Sequence, residues 1–255
     1  MAVPPIDFQL HNSLFLVAHF HMMIVGGVLF GFFAGITYWF PKYLGFKLNE
    51  KLGRLAFWCW LIGFVLAFVP LYILGFMGAT RRLDHYSASL GWQPLFVVAG
   101  IGAGIIALGV AVQLLQLVVS ILQRSKNIDT TGDPWDGRTL EWSIPSPVPF
   151  YNFARLPYVT ERDAFWEMKH SKLVDNRPYE DITLPKNTPL AMVIAGGGLA
   201  FSFAIVWHIW WLAIIGIIVS IVTIIVRSLD EDTEYTIKAA EVKKLDKSFN
   251  SGRAA

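Results

Sequence analysis

Residues 12–40 read NSLFLVAHFHMMIVGGVLFGFFAGITYWF, an uncharged apolar run interrupted by two imidazoles, His19 and His21. A bilayer core is crossed by about 20 helical residues, so this stretch is long enough to span one. As a helix it turns about 100° per residue, which points His19 and His21 about 200° apart, onto opposite faces. Such a pair cannot chelate one metal from one helix. Histidine inside hydrocarbon is costly and usually functional, and imidazole is a common axial ligand of haem iron. The spacing therefore invites one helix serving two haems, with Phe20 between them. The plainer reading is two polar side chains hydrogen-bonded to neighbouring helices.

The rest of the chain fits a membrane setting. Of its 255 residues, 55% are apolar and 16% charged, the profile of a polytopic membrane protein rather than a soluble domain. A formal net charge of +2 implies no nucleic-acid partner. Cys59, the single cysteine, excludes an internal disulfide and a cysteine-rich metal site, and reads as a small core residue. The Met1-Ala2-Val3-Pro4-Pro5 start has neither a basic region nor a short apolar core, so no cleavable signal peptide is expected.

Further apolar blocks occupy 55–78, 93–123 and 189–226, with Pro70 as an expected kink and Pro41 as the end of the first block. The last block would be about 57 Å long as one helix, too long for a single crossing. Two crossings joined near Trp207-His208-Ile209-Trp210-Trp211 fit better, because Trp concentrates at the membrane interface. The expectation is an all-α, polytopic transmembrane bundle of about five helices. It divides into three transmembrane helices with the histidine motif over 1–123, a polar cytoplasmic connecting segment over 124–188, a transmembrane hairpin over 189–227 and a polar tail over 228–255. Lys42, Lys47, Lys51 and Arg54 put the first link on the cytoplasmic side, as Arg124, Lys126 and the tail cations do for theirs.

That topology leaves Arg81 and Arg82 outside, against the usual charge bias. An Arg pair binds carboxylates by charge-assisted, bidentate bonds, so it could clamp the propionates of two adjacent haems; the plainer reading is a pair of headgroup contacts. Asp7 and His11, four residues apart before the first span, share a helical face and suit a hard cation or a proton-exit network, or simply a helix-dipole contact. Gly27, Gly31 and Gly35 make a four-residue stripe that reads as a packing seam. His85, His170 and His208 lack ligand spacing and read as loop or interfacial residues. No other in-span histidine supplies a second axial ligand beside His21, so the chain as given cannot hold a complete redox centre.

Several stretches resemble subunit I of the haem–copper terminal oxidases, in the bo-type ubiquinol oxidase branch. They are Leu10-His11-Asn12-Ser13-Leu14-Phe15-Leu16, Ala18-His19-Phe20-His21, Tyr38-Trp39-Phe40-Pro41, Leu74-Gly75-Phe76-Met77-Gly78-Ala79-Thr80-Arg81-Arg82, and Gly132-Asp133-Pro134-Trp135-Asp136-Gly137-Arg138-Thr139-Leu140-Glu141-Trp142. The resemblance covers nearly the whole chain but only the C-terminal part of the family's subunit.

By that resemblance His19 would be the catalytic axial ligand of a high-spin o- or a-type haem, and His21 one axial ligand of a low-spin b-type haem. Phe20 would lie between them, Arg81 and Arg82 would meet the propionates, and Asp7 and His11 would belong to a magnesium or proton-exit site. The family is a proton-pumping enzyme of the bacterial inner membrane that reduces oxygen to water. Asn12 and Gly132-Asp133-Pro134-Trp135 favour quinol as the donor. The family's copper ligands would lie upstream, so copper would not be held by this chain. The implied partners are the N-terminal remainder of subunit I, subunits II, III and IV, quinol, oxygen and membrane lipid. The fragment, a truncated or split gene product, is expected to be inactive alone. The alternatives are a cytochrome c oxidase subunit I fragment, or a haem-free membrane scaffold or assembly piece.

Overall fold

The structure is a computed structural model that describes residues 3–170 and 177–251. Its regular structure is mostly helical, with the long helices on the apolar blocks. Among the described residues, four helices are long and apolar enough to cross a membrane: the continuous span Leu14–Leu44, then Glu50–Phe76, Gln93–Leu122 and Trp210–Ser228. A fifth apolar helix, Leu190–Val206, has 17 residues. At about 26 Å it falls slightly short of a full hydrocarbon core.

The chain forms two compact units. The first begins with a short helix, α1 (Pro4–Leu10), followed by α2 (Leu14–His21), a π-helical stretch over Met22–Leu29, and α3 (Phe30–Leu44). The π-stretch was not legible in the sequence, because a segment apolar on all sides carries no periodicity that separates one helical winding from another. Helix α3 runs through Pro41 instead of stopping there. It ends at Gly45, whose φ of 78° provides the left-handed cap. Helix α4 (Glu50–Phe76) is capped by Asn49, whose side chain accepts from the Leu52 amide, and continues through Pro70. Helix α5 (Gln93–Leu122) packs along it.

Glycine permits the α4–α5 contact. A Cβ on Gly102 would lie 2.3 Å from the Ala67 backbone nitrogen, and one on Gly63 2.8 Å from that of Ile106. The expected seam of Gly27, Gly31 and Gly35 is not used in this way. Gly27 and Gly31 face nothing within 4 Å, and Gly35 meets only Trp39 of its own helix. The first unit also contains α6 (Ala164–His170).

The second unit holds α7 (Leu190–Val206) and α8 (Trp210–Ser228), which turn back on each other at His208 (φ 57°). They cross closely where Gly216 faces the Gly197 carbonyl. Strand β1 (Ile182–Pro185) pairs antiparallel with β2 (Glu234–Ile237), with Ile182 opposite Ile237 and Pro185 opposite Glu234. Helix α9 (Ala239–Ser251) follows; Asp181 accepts from the Ala239 amide and pairs with Lys238.

Candidate functional site

The sequence-nominated residues gather where α2 begins and α4 ends. Gly75 lacks the Cβ that would sit 2.2 Å from the Phe15 amide nitrogen, so α2 docks directly against α4. After Gly78 (φ 89°) the chain runs back alongside the start of α2. The Leu14 amide donates to the Ala79 carbonyl at 2.9 Å, the Arg81 amide donates to the Asn12 carbonyl at 3.0 Å, and Ser13 bridges Thr80. Buried Leu14, Leu74 and Ala79 seal the joint, with Tyr86, Trp92 and Phe96 packed around them. Arg81 and Arg82 are thereby fixed beside Asn12, although 69 residues separate Arg81 from Asn12 in sequence.

His21 Nδ1 donates to the Val17 carbonyl at 2.8 Å, which leaves its Nε2 as the outward nitrogen. Its ring stacks on Phe68 of α4 (4.5 Å between centroids) and on Phe20 (4.3 Å). His19 is half-buried and lies parallel to Phe15 at 6.1 Å. Phe20 remains 37% exposed. His11 Nδ1 donates to the backbone carbonyl of Asp7 at 3.0 Å rather than to its carboxylate. Arg82 has a φ of 70° and is exposed, whereas the Nε of Arg81 is buried with no hydrogen-bond partner.

These positions correct the cofactor expectation. Among the described residues no group of three or more His, Cys, Asp or Glu converges to hold a metal ion. A six-coordinate haem iron needs a second axial ligand, and a hard cation needs several oxygens; neither set is assembled. The residues present therefore do not fit two haems or a magnesium ion held by this chain, nor a haem-ligating role in oxygen reduction. The haem-free reading suits the donor set better.

A polar knot in the first unit was missed at the sequence level. Lys42 is only 4% exposed, and its Nζ donates to the carbonyls of Gly132 and Ile144, each at 2.6 Å. The side chain of Asp129 accepts from the Thr131 amide (3.1 Å), the Thr131 hydroxyl (2.8 Å) and the Gly132 amide (3.0 Å). Burial pushes the Asp129 carboxyl up, but the nearby Ser146 hydroxyl and the hydrogen bonds from Thr131 and Gly132 outweigh it and hold the group below the usual carboxylate range. Lys169 sits between Asp133 (2.5 Å) and Asp136 (2.7 Å). Burial alone would lower the Lys169 ammonium, but the two carboxylates raise it overall. The Gly132-Asp133-Pro134-Trp135 turn was the available signal for this knot; nothing local pointed to Lys42 as its centre.

The fold defines a class first: a multi-pass helix bundle of the bacterial inner membrane, strongly homologous over most of its length to subunit I of the bo(3) and related haem–copper oxidases. Residues 1–105 match the family described as Cytochrome C and Quinol oxidase polypeptide I. The chain is 54% identical over 98% of its length to the cytochrome bo(3) ubiquinol oxidase subunit 1 of Buchnera aphidicola subsp. Acyrthosiphon pisum. It is 52% identical over 96% to the ubiquinol oxidase subunit 1 of Acetobacter aceti. It is 49% identical over 97% to a probable cytochrome c oxidase subunit 1 of Bradyrhizobium diazoefficiens. It spans 38% of the length of each of these relatives.

Proposed function

We propose that this chain is a haem-free membrane scaffold and assembly piece, corresponding to the C-terminal portion of a bo-type quinol oxidase subunit 1. It seats the N-terminal remainder of that subunit and, through it, subunits II, III and IV. Oxygen and quinol would then be handled by residues of those partners. Asn12 and the Gly132–Trp135 turn support the quinol branch.

One observation carries the reading. Just 6% of the most apolar part of Leu14–Leu44 is buried, although this span holds His19, His21 and the unmet stripe of Gly27 and Gly31. Small residues at four-residue spacing admit another helix closely, and imidazoles facing hydrocarbon without a partner are costly. The span is therefore an incomplete interface. His19, Phe20 and His21 lie in its first quarter, towards the end that carries Asp7, His11, Arg81 and Arg82. Arg81 and Arg82 add positive charge at that end, where a carboxylate of the partner would find a charge-assisted contact.

The test is co-expression of the tagged chain with a polypeptide supplying the remainder. The two should purify together from membranes, and Gly27→Leu combined with Gly31→Leu should abolish recovery of the remainder. The purified chain alone should show no haem bands in a reduced-minus-oxidised spectrum. Recovery unaffected by the double variant, or haem bands from the chain alone, would overturn the reading.

A further inference from the structure

A cleft of about 480 Å³ opens on the first unit where α3, α4 and α5 meet. That volume falls within the range of small-molecule sites, roughly 300–1,000 Å³. Its lining changes character along its length. Phe30, Phe33 and Trp60 line it in the interior of the spans, while Glu50, Arg54 and Trp135 line it at the polar end. The polar groups around it are mostly engaged: Trp60 Nε1 donates to Gln113 at 2.9 Å, Gln116 Nε2 to the Asn49 carbonyl at 3.1 Å, and Trp135 Nε1 to the Tyr38 carbonyl at 2.9 Å.

Arg54 is different. It is exposed, and it makes no hydrogen bond or ion pair with any described residue, although Glu50 stands four positions earlier on the same helix. Lys47 and Lys51 adjoin the lining residues Leu48 and Glu50 in sequence, and neither has an ion pair among the described residues. Residues 47–54 thus hold three cations against one carboxylate. A basic pocket between transmembrane helices at this level suits a lipid headgroup.

We propose that this cleft binds an anionic glycerophospholipid of the phosphatidylglycerol type. The phosphate accepts from the Arg54 guanidinium, the glycerol hydroxyls donate to Glu50, and one acyl chain lies along Phe33, Phe57 and Trp60. The charge surplus of residues 47–54 selects an anionic headgroup over a zwitterionic one, and the Glu50 carboxylate accepts from its glycerol hydroxyls. The lipid contacts rest on Arg54, Glu50 and the aromatic wall of the cleft, none of which belongs to the glycine stripe.

The test reconstitutes the full chain in phosphatidylethanolamine vesicles containing a small fraction of phospholipid with a photoactivatable acyl chain. The labelled headgroup is either phosphatidylglycerol or phosphatidylethanolamine, and cross-linked peptides are mapped by mass spectrometry. Phosphatidylglycerol should label the α3 and α4 segments about tenfold more than phosphatidylethanolamine, matching one charge-assisted hydrogen bond. Arg54→Gln should remove that preference and Arg54→Lys should keep part of it. Ala34→Phe, placed at an exposed position on the cleft wall, should abolish labelling by both lipids. Arg54 supports no other side chain, so its variant should fold normally, as circular dichroism would show. Equal labelling by the two headgroups, an unchanged preference in Arg54→Gln, or labelling that survives Ala34→Phe would overturn the proposal. Loss of labelling once the N-terminal remainder is co-assembled would also overturn it, because protein would then be the occupant.

Discussion

The Nζ of Lys42 lies 5.0 Å from the ring centroid of Trp142, and both residues are almost wholly buried, at 4% and 1% exposure. An ammonium over an indole face is favourable when desolvated. Here it also holds two carbonyls, one on each side of the Asp133–Trp142 stretch. A single side chain from the end of α3 thus organises the polar segment that follows α5.

Lys42→Met keeps the aliphatic stem and removes the donor. The Gly132 and Ile144 carbonyls would lose their charged partner, and each buried unmet group costs about 1–3 kcal/mol. The expected outcome is a lower midpoint in thermal unfolding and faster tryptic cleavage at Arg138, with helix content preserved by circular dichroism. Unchanged protease resistance would remove Lys42 from this role.

Acid should loosen the same knot through Asp129. Its carboxyl is held below its ordinary value in the folded chain. The stability it contributes is therefore fully present above the unfolded value of about 3.9 and fades as pH falls through the lower, folded one. Amide exchange at Thr131 and Gly132, corrected for intrinsic rates, should stay protected at neutral pH and accelerate below about pH 4. Asp129→Ala, which removes the acceptor, should expose both amides at neutral pH and flatten the profile.

Two glycine substitutions should behave in opposite ways. Gly102→Ala forces a methyl group within 2.3 Å of the Ala67 backbone. Overpacking of this kind costs about 1–3 kcal/mol, seen as a lower yield of monodisperse protein in detergent. Gly27→Ala meets nothing within 4 Å. It should leave the isolated chain as stable as before, or slightly more so through better helix propensity, while weakening capture of the remainder.

Arg81→Gln should reduce that capture about tenfold, as loss of one charged contact would, and should also loosen the joint with Asn12, because the Arg81 side chain packs with its Nε buried. Arg82→Gln should reduce it less, because Arg82 is already exposed to solvent. Competitive pull-down at matched salt would rank them; equal loss from both would point to net charge rather than to the Arg81 joint.

The membrane class, the positions of the long helices and the break at Trp207–Ile209 were legible because they depend on local composition and length alone. Those properties survive without knowledge of what packs where. Gly27, Gly31 and Gly35 show the limit of that reading. Their spacing signals that a neighbour can approach, yet Gly63, Gly75 and Gly102, without that pattern, make the contacts. The histidine pair shows it too. The spacing of His19 and His21 set their angular separation, but a ligand set depends on groups brought from elsewhere, and none converges on them among the described residues.

By itself, then, the sequence determined a helical, multi-pass membrane chain, carried its resemblance to oxidase subunit I, and named the residues most costly to leave in hydrocarbon. Only the tertiary structure decided that Lys42 is a buried clamp, that Arg81 is tied to Asn12 with an unmet Nε, and that the first span is left bare on most sides. The reason is physical: burial and hydrogen-bond partnership are properties of pairs distant in sequence, whereas hydropathy and helical period belong to each segment alone.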